Sequence, residues 1–250
     1  MSTNALSIYF FSMDLVGPQH ACIGLAQALK ARGHRVRFFA RSEAAARFRH
    51  YGFECFDLVD NVKQSENVVK DFIASFKETG LFDDRSPLEK MKIIVASAFF
   101  KDETNQCLGY EPQIRAILAK ERPDLVVVDS EVLPPSLICQ KDFPWVMIFC
   151  SNPVGLFNSP DLPPFTSDLP TDPSFRPQWE AYAAELDAAL YKGVRESQRR
   201  VCEQFGCPRS EPQVARVLSP HLNLYQFPAE LDYDDRIQLP ANCHRVDAYI

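Results

Sequence analysis

The chain has 250 residues, 46% of them hydrophobic and 24% charged, with a formal net charge of −6. That balance is ordinary for a globular protein with room for one large domain or two small ones, and it lacks the basic footprint that nucleic-acid binding requires. No apolar run reaches the roughly 20 residues of a spanning helix, and the patch Leu6–Phe11 has no basic segment before it and no small-residue cleavage site. A cytoplasmic protein with no membrane span and no nucleic-acid partner is expected.

In chain order, Leu6–Met13 is almost continuously apolar, as suits a strand covered on both faces. The loop Asp14–His20 leads into a helix over about Gln19–Arg32, whose Cys22, Leu25, Ala26 and Leu29 fall on one face before Gly33 ends it. A second strand is expected at His34–Arg41, a helix at Glu43–Tyr51 capped by Ser42, and a third strand at Glu54–Val59. This alternation predicts a parallel sheet. Asn61–Lys120 reads as a helical excursion. Within it Ser86-Pro87-Leu88-Glu89 has the form of a capping box, Leu88 and Met91 begin an inward face, and a further helix runs over Glu111–Glu121.

Two short buried strands follow, Asp124–Asp129 and Trp145–Cys150, with a short helix at Pro134–Gln140 between them. The proline-rich stretch from Asn152 to Pro177 reads either as a loop over a binding cleft or as a surface excursion. Gln178–Phe205 is expected to be a long helix burying Trp179, Tyr182 and Leu186, followed by a short helix at Glu211–Leu218 and strands at Leu222–Phe227 and Arg245–Ile250. The eight cysteines read as reduced thiols, Cys22, Cys139 and Cys150 among them as buried small hydrophobes. Cys202, Cys207, His221 and His244 match no standard zinc spacing, so no metal is expected.

The first loop offers Gly17 and then no glycine until Gly24, which is neither a dinucleotide fingerprint nor a phosphate loop. What it does offer is His20. Near a helix N-terminus the imidazolium is disfavoured, so the ring can stay neutral and accept a proton; a solvent-facing or capping histidine fits the same position. Asp129 closes a strand at the same sheet edge. It could orient an imidazole, or it could cap the segment after it. Ser151 and Asn152 end the next strand and either face the cleft or simply make the turn before Pro153.

Four stretches carry a family resemblance. MDLVGPQHACIGLAQALKARGHRVRFF resembles the N-terminal segment of family-1 UDP-glycosyltransferases of the GT-B fold, most of all the invertebrate branch. PDLVVVDSE resembles the strand bearing that family's catalytic aspartate, and LNLYQFPAELDY with IQLPANCHRVDAYI resembles the end of its N-terminal domain. The resemblance implies a doubly wound α/β, Rossmann-like domain of about six or seven parallel strands, residues 1–250 forming one acceptor-binding domain without the nucleotide-sugar domain. It implies inverting transfer of a sugar from a UDP-sugar co-substrate to a hydroxyl of a small lipophilic acceptor, as in detoxification, with no other cofactor. A histidine takes the acceptor proton and Asp129 steadies the imidazolium. The acceptor contacts it suggests are Met13, Gly17, Phe149, Ser151, Asn152 and Phe157, with Phe10 and Phe165 as further guesses. An ungapped alignment places Pro18 at the family's histidine position and His20 two places on, about 200° around a helix. The expected half-enzyme is inactive alone; the alternative is a non-catalytic binding module for small hydrophobic compounds.

Overall fold

A computed structural model describes residues 5–59, 73–74, 76–96, 109–130, 132, 134–139, 142–150, 155, 159–191, 196, 199, 203–205, 217–233 and 236–246. The seven strands are β1 (Ser7–Phe11), β2 (Arg35–Ala40), β3 (Glu54–Asp57), β4 (Leu125–Asp129), β5 (Trp145–Phe149), β6 (Leu222–Gln226) and β7 (Cys243–Val246). All pair in parallel, in the order β3-β2-β1-β4-β5-β6-β7. Helices among the described residues include α1 (Val16–Ala31), α2 (Ser42–His50), α3 (Pro87–Ala96), α4 (109–118), α5 (Pro135–Ile138) and α6 (Arg176–Leu186). Among the described residues no helix is long and apolar enough to cross a membrane.

Strand alternation divides the core into two layers. One face carries Ile8, Phe10, Phe38, Val127 and Ile148 and is covered by α1 and α2 through Cys22, Ile23, Ala26, Ala45 and Phe48. Phe38 stacks between Phe10 and Phe48 at centroid distances of 5.0 and 4.0 Å. The other face carries Tyr9, Phe11, Val126, Val128, Met147 and Phe149. It is covered by α4 through Tyr110 and Ile114, by α5 through Leu137 and Ile138, and by Leu162 of the proline-rich stretch. Burial on both faces explains why these strands read as continuous apolar runs.

Some boundaries differ from the sequence reading. α1 begins at Val16, because Pro18 lies in the first turn, where its missing N–H has no intrahelical partner to lose. The N-cap of α2 is Arg41, in extended conformation, and Ser42 is already helical. The N-cap of α5 is Pro134, so Asp129 does not cap that segment. β7 begins two residues early, where the Asn242 side chain donates to the Ser219 carbonyl at 2.9 Å and fixes the entry to the strand. α6 starts at Arg176 and widens into a π turn over Asp187–Tyr191, while burying Trp179, Tyr182 and Leu186 as expected. Cys139 is disulfide-bonded rather than reduced, with its partner outside the described residues; Cys22, Cys55, Cys150 and Cys243 are free. Most of the expected helix Glu211–Leu218 lies outside the described residues, and Val217 and Leu218 are not helical.

The capping box forms as read. The Ser86 N–H donates to Glu89 Oε2 at 3.0 Å and the Glu89 N–H to Ser86 Oγ at 3.3 Å. At the amino edge of the sheet the Arg37 guanidinium lies between the Tyr9 and Phe56 rings, 4.9 and 4.6 Å from their centroids. It donates to Tyr9 Oη at 2.9 Å and to Glu121 at 2.5 Å. Arg37 Nε is buried without a hydrogen-bond partner among the described residues, with Glu54 Oε2 at 3.8 Å.

The hydrogen bond from Arg37 holds the Glu121 carboxyl below its ordinary value. A depressed folded-state pKa gives stability that is complete above the ordinary glutamate range and lost as pH falls through the lower folded value. Glu121→Gln should therefore lower the urea midpoint at neutral pH, with the difference from wild type shrinking as pH falls through and below the ordinary glutamate range. A difference constant across that range would contradict this assignment.

Candidate functional site at the switch point

The chain runs from β1 outward to β2 and β3 on one side and then returns to β4 on the other, so the strand order reverses between β1 and β4. Crevices at such a reversal, outside the carboxyl ends of the strands, are the usual ligand sites of open α/β sheets. Met13 and Asp14 leave β1 there, and Asp129 ends β4. Asp129 is 1% exposed, and its Oδ2 accepts the Met13 N–H at 3.3 Å. Burial first, then the charges of Asp129 and Cys150, pushes the Cys22 thiol well above its ordinary value. Strand alternation places Asp129 with Val127 on the α1 side of the sheet. The Met13 side chain joins the opposite layer with Phe149, and Leu162 and Phe165 pack in that same layer.

Met13, Phe149 and Asp129 therefore stand around one end of the sheet. Gly17 fronts open space, since a Cβ there would meet nothing within 4 Å. Phe10 is fully buried under α1, on the layer away from Met13, so its role is packing. Ser151, Asn152 and Phe157 lie outside the described residues.

His20 is placed differently from Asp129. It is exposed, and its ring meets Tyr51 edge-on at a centroid distance of 6.0 Å. Cys22, buried on the Asp129 side, is two residues away and so about 200° around the helix. Pro18, one turn before Cys22, shares its stripe. The remaining histidines are structural or exposed: the Nδ1 atoms of His34 and His221 accept the Leu6 and Trp145 N–H groups, His50 packs on Tyr51, and His244 is exposed. Among the described residues no group of three His, Cys, Asp or Glu side chains is placed to hold a metal ion.

Sequence reasoning missed the polar network behind the loop. Gln19 is 1% exposed; its Nε2 donates to Asp14 Oδ1 at 2.7 Å, and its Oε1 accepts from Arg47 of α2. Arg41 donates to Asp14 Oδ2. The signal was present: Gln19 stands three, four and seven residues before Cys22, Ile23 and Ala26, a polar side chain on an apolar stripe. Behind β4, buried Glu111 accepts the Ser136 N–H at 2.9 Å and also the Ser136 hydroxyl, while Arg115 Nε donates to Ser136 Oγ at 3.0 Å.

The described part of the proline-rich stretch is a strap laid against these layers. Leu162 is 3% exposed; the Tyr182 hydroxyl donates to the Thr166 carbonyl at 2.9 Å and Trp179 Nε1 to the Pro170 carbonyl at 3.1 Å. Thr166 and Asp168 have φ of 66° and 57°. A β-branched residue in that region is strained and persists only where its surroundings hold it.

Removing the Asp129 acceptor leaves the buried Met13 N–H without that partner. Asp129→Ala should lower the unfolding free energy by about 1–3 kcal/mol, and Asp129→Asn, whose amide oxygen can still accept, by less. Urea denaturation of the two variants checks the order.

No family model matches the chain, and no curated protein sequence matches it. Its structure is similar to solved glycosyltransferases. Against the glycotransferase of kitacinnamycin the TM-score is 0.54 at 18% identity, covering 94% of this chain and 50% of that one. Against the spinosyn rhamnosyltransferase SpnG it is 0.53 at 16% identity, covering 97% and 50%; SpnG has also been solved with thymidine diphosphate. Against the calicheamicin glycosyltransferase CalG4 it is 0.54 at 15% identity, covering 98% and 53%. The chain thus spans about half the length of the structures it resembles. At such identities the likeness is one of fold: the doubly wound, Rossmann-like α/β sheet of the GT-B glycosyltransferases.

Proposed function

We propose that this chain is the N-terminal, acceptor-binding lobe of a GT-B glycosyltransferase, belonging with the family-1 enzymes. Joined to a nucleotide-binding lobe, it would transfer a sugar from a nucleoside-diphosphate sugar to a hydroxyl of a small lipophilic acceptor. The observation that carries this reading is the Met13–Asp129 hydrogen bond at the switch point, within a sheet that has the fold of half a glycosyltransferase. The apolar layer of Met13, Phe149, Leu162 and Phe165 suits a lipophilic acceptor. A carboxylate held at that edge can stabilise an imidazolium formed when a histidine accepts the acceptor proton. The donor is a UDP-sugar by the family resemblance; the thymidine diphosphate bound to SpnG makes a TDP-sugar the second candidate.

A second reading is favoured by the helix phase. Pro18 holds the position on the Cys22 stripe, and His20 faces Tyr51, so the crevice has a carboxylate but no imidazole beside it among the described residues. In that reading the lobe binds small hydrophobic compounds without catalysis.

2-Naphthol, an apolar probe with one hydroxyl, should quench the tryptophan fluorescence of the chain saturably, and absence of binding would overturn both readings. The chain alone should give no naphthyl glycoside with radiolabelled UDP-glucose or TDP-glucose. Fused to the nucleotide lobe of a GT-B enzyme, the transferase reading expects product that His20→Ala abolishes. Product only after Pro18→His would establish the binding module instead.

A further inference from the structure

We infer that Gln19 is a positioning residue, through which α2 sets the conformation of the β1–α1 loop and hence its affinity for an apolar ligand; the link to affinity rests on the acceptor-binding reading above. The loop residues Met13 and Asp14 are adjacent in sequence and are held from opposite directions. Met13 is held from the sheet, by its N–H donating to Asp129 Oδ2 at 3.3 Å. Asp14 is held from the helix layer, where its two carboxylate oxygens accept from Gln19 and from Arg41 at the N-cap of α2. The Gln19 amide is used at both ends, donating to Asp14 and accepting from Arg47, one and a half turns into α2.

A glutamine suits this place better than a charged residue. Its amide bridges a carboxylate and a guanidinium by presenting a donor to one and an acceptor to the other, and at 1% exposure it adds no net charge to the interior. A glutamate would set two carboxylates against each other, and a lysine would face Arg47 with a like charge. The relay is also directional. α2 is tied to the loop at both ends, its N-cap Arg41 through Asp14 and its last turn through Arg47 and Gln19. Displacing α2 therefore displaces Asp14, and with it the chain on the helix side of Met13. Met13 belongs to the same apolar layer as Phe149 and Leu162, so this displacement reaches the surface proposed to meet the acceptor.

The test compares the full chain with Gln19→Leu, which keeps the bulk and removes both hydrogen bonds, and with Arg47→Met, which removes one from outside the core. Arg47→Lys is the rescue, since an ammonium can still donate to the Gln19 carbonyl oxygen. Arg49→Gln is the control, breaking only the neighbouring Arg49–Asp57 pair of the same helix. By hydrogen exchange the amides of residues 14–17 and 19 should exchange about tenfold faster in Gln19→Leu and Arg47→Met, with the central strands unchanged. Arg47→Lys should restore most of the protection and Arg49→Gln should match wild type. The 2-naphthol dissociation constant should follow the same order, weakened about five- to tenfold in the first two variants. Unchanged exchange in the loop, or acceleration spread evenly over the sheet, overturns the relay. Wild-type binding of 2-naphthol with equal binding by Gln19→Leu overturns the link to affinity, whereas a wild-type chain that ignores 2-naphthol overturns the acceptor reading itself.

Discussion

A carboxyl group that is almost fully enclosed needs hydrogen-bond partners, and at the end of β4 Asp129 is enclosed to 1% exposure. One donor is the backbone N–H of Met13, just past the neighbouring strand β1 and more than a hundred residues away in sequence. That demand ties the first loop of the chain to the middle of the sheet. The parallel register of β1 with β4 brings the two together, since Phe11 stands beside Val128 and the next residues of both strands run off the same edge. The layout of the crevice follows: α1 and its relay on one side, the apolar layer of Met13 and Phe149 on the other.

Much of this was legible in the sequence because it is written in short periods. Strands buried on both faces show as apolar runs, so β1, β2, β4, β5 and β6 were each located within a residue or two. Ser86 and Glu89 announce a helix start by a reciprocal bond local to four residues. Asp129 was legible as a strand-ending carboxylate, and Met13 as the residue leaving the neighbouring strand.

Other features depend on partners distant in sequence. The entry to β7 is set by Asn242 reaching Ser219, which no local pattern contains. The α1 start was read too late because Pro18 was weighed as a loop residue, although the first turn tolerates it. His20 was singled out for its chemistry, but helix phase governs where a side chain points, and it sends that ring to Tyr51. Gln19 was passed over for the opposite reason: its position on the apolar stripe showed that it would be buried, while the arginine that makes burial tolerable comes from another helix.

The strap carries a consequence of its own. Thr166 and Asp168 hold backbone angles that neither residue prefers, and the bonds from Tyr182 and Trp179 of α6 bracket them. Its shape therefore depends on the helix behind it as well as on its own turn, in which the Ser167 N–H donates to the Pro164 carbonyl. Its exposed side chains can be exchanged without altering its path, whereas a change at Tyr182 removes a bond that holds Thr166. A chain built this way anchors a long excursion by a hydroxyl and an indole of the helix behind it.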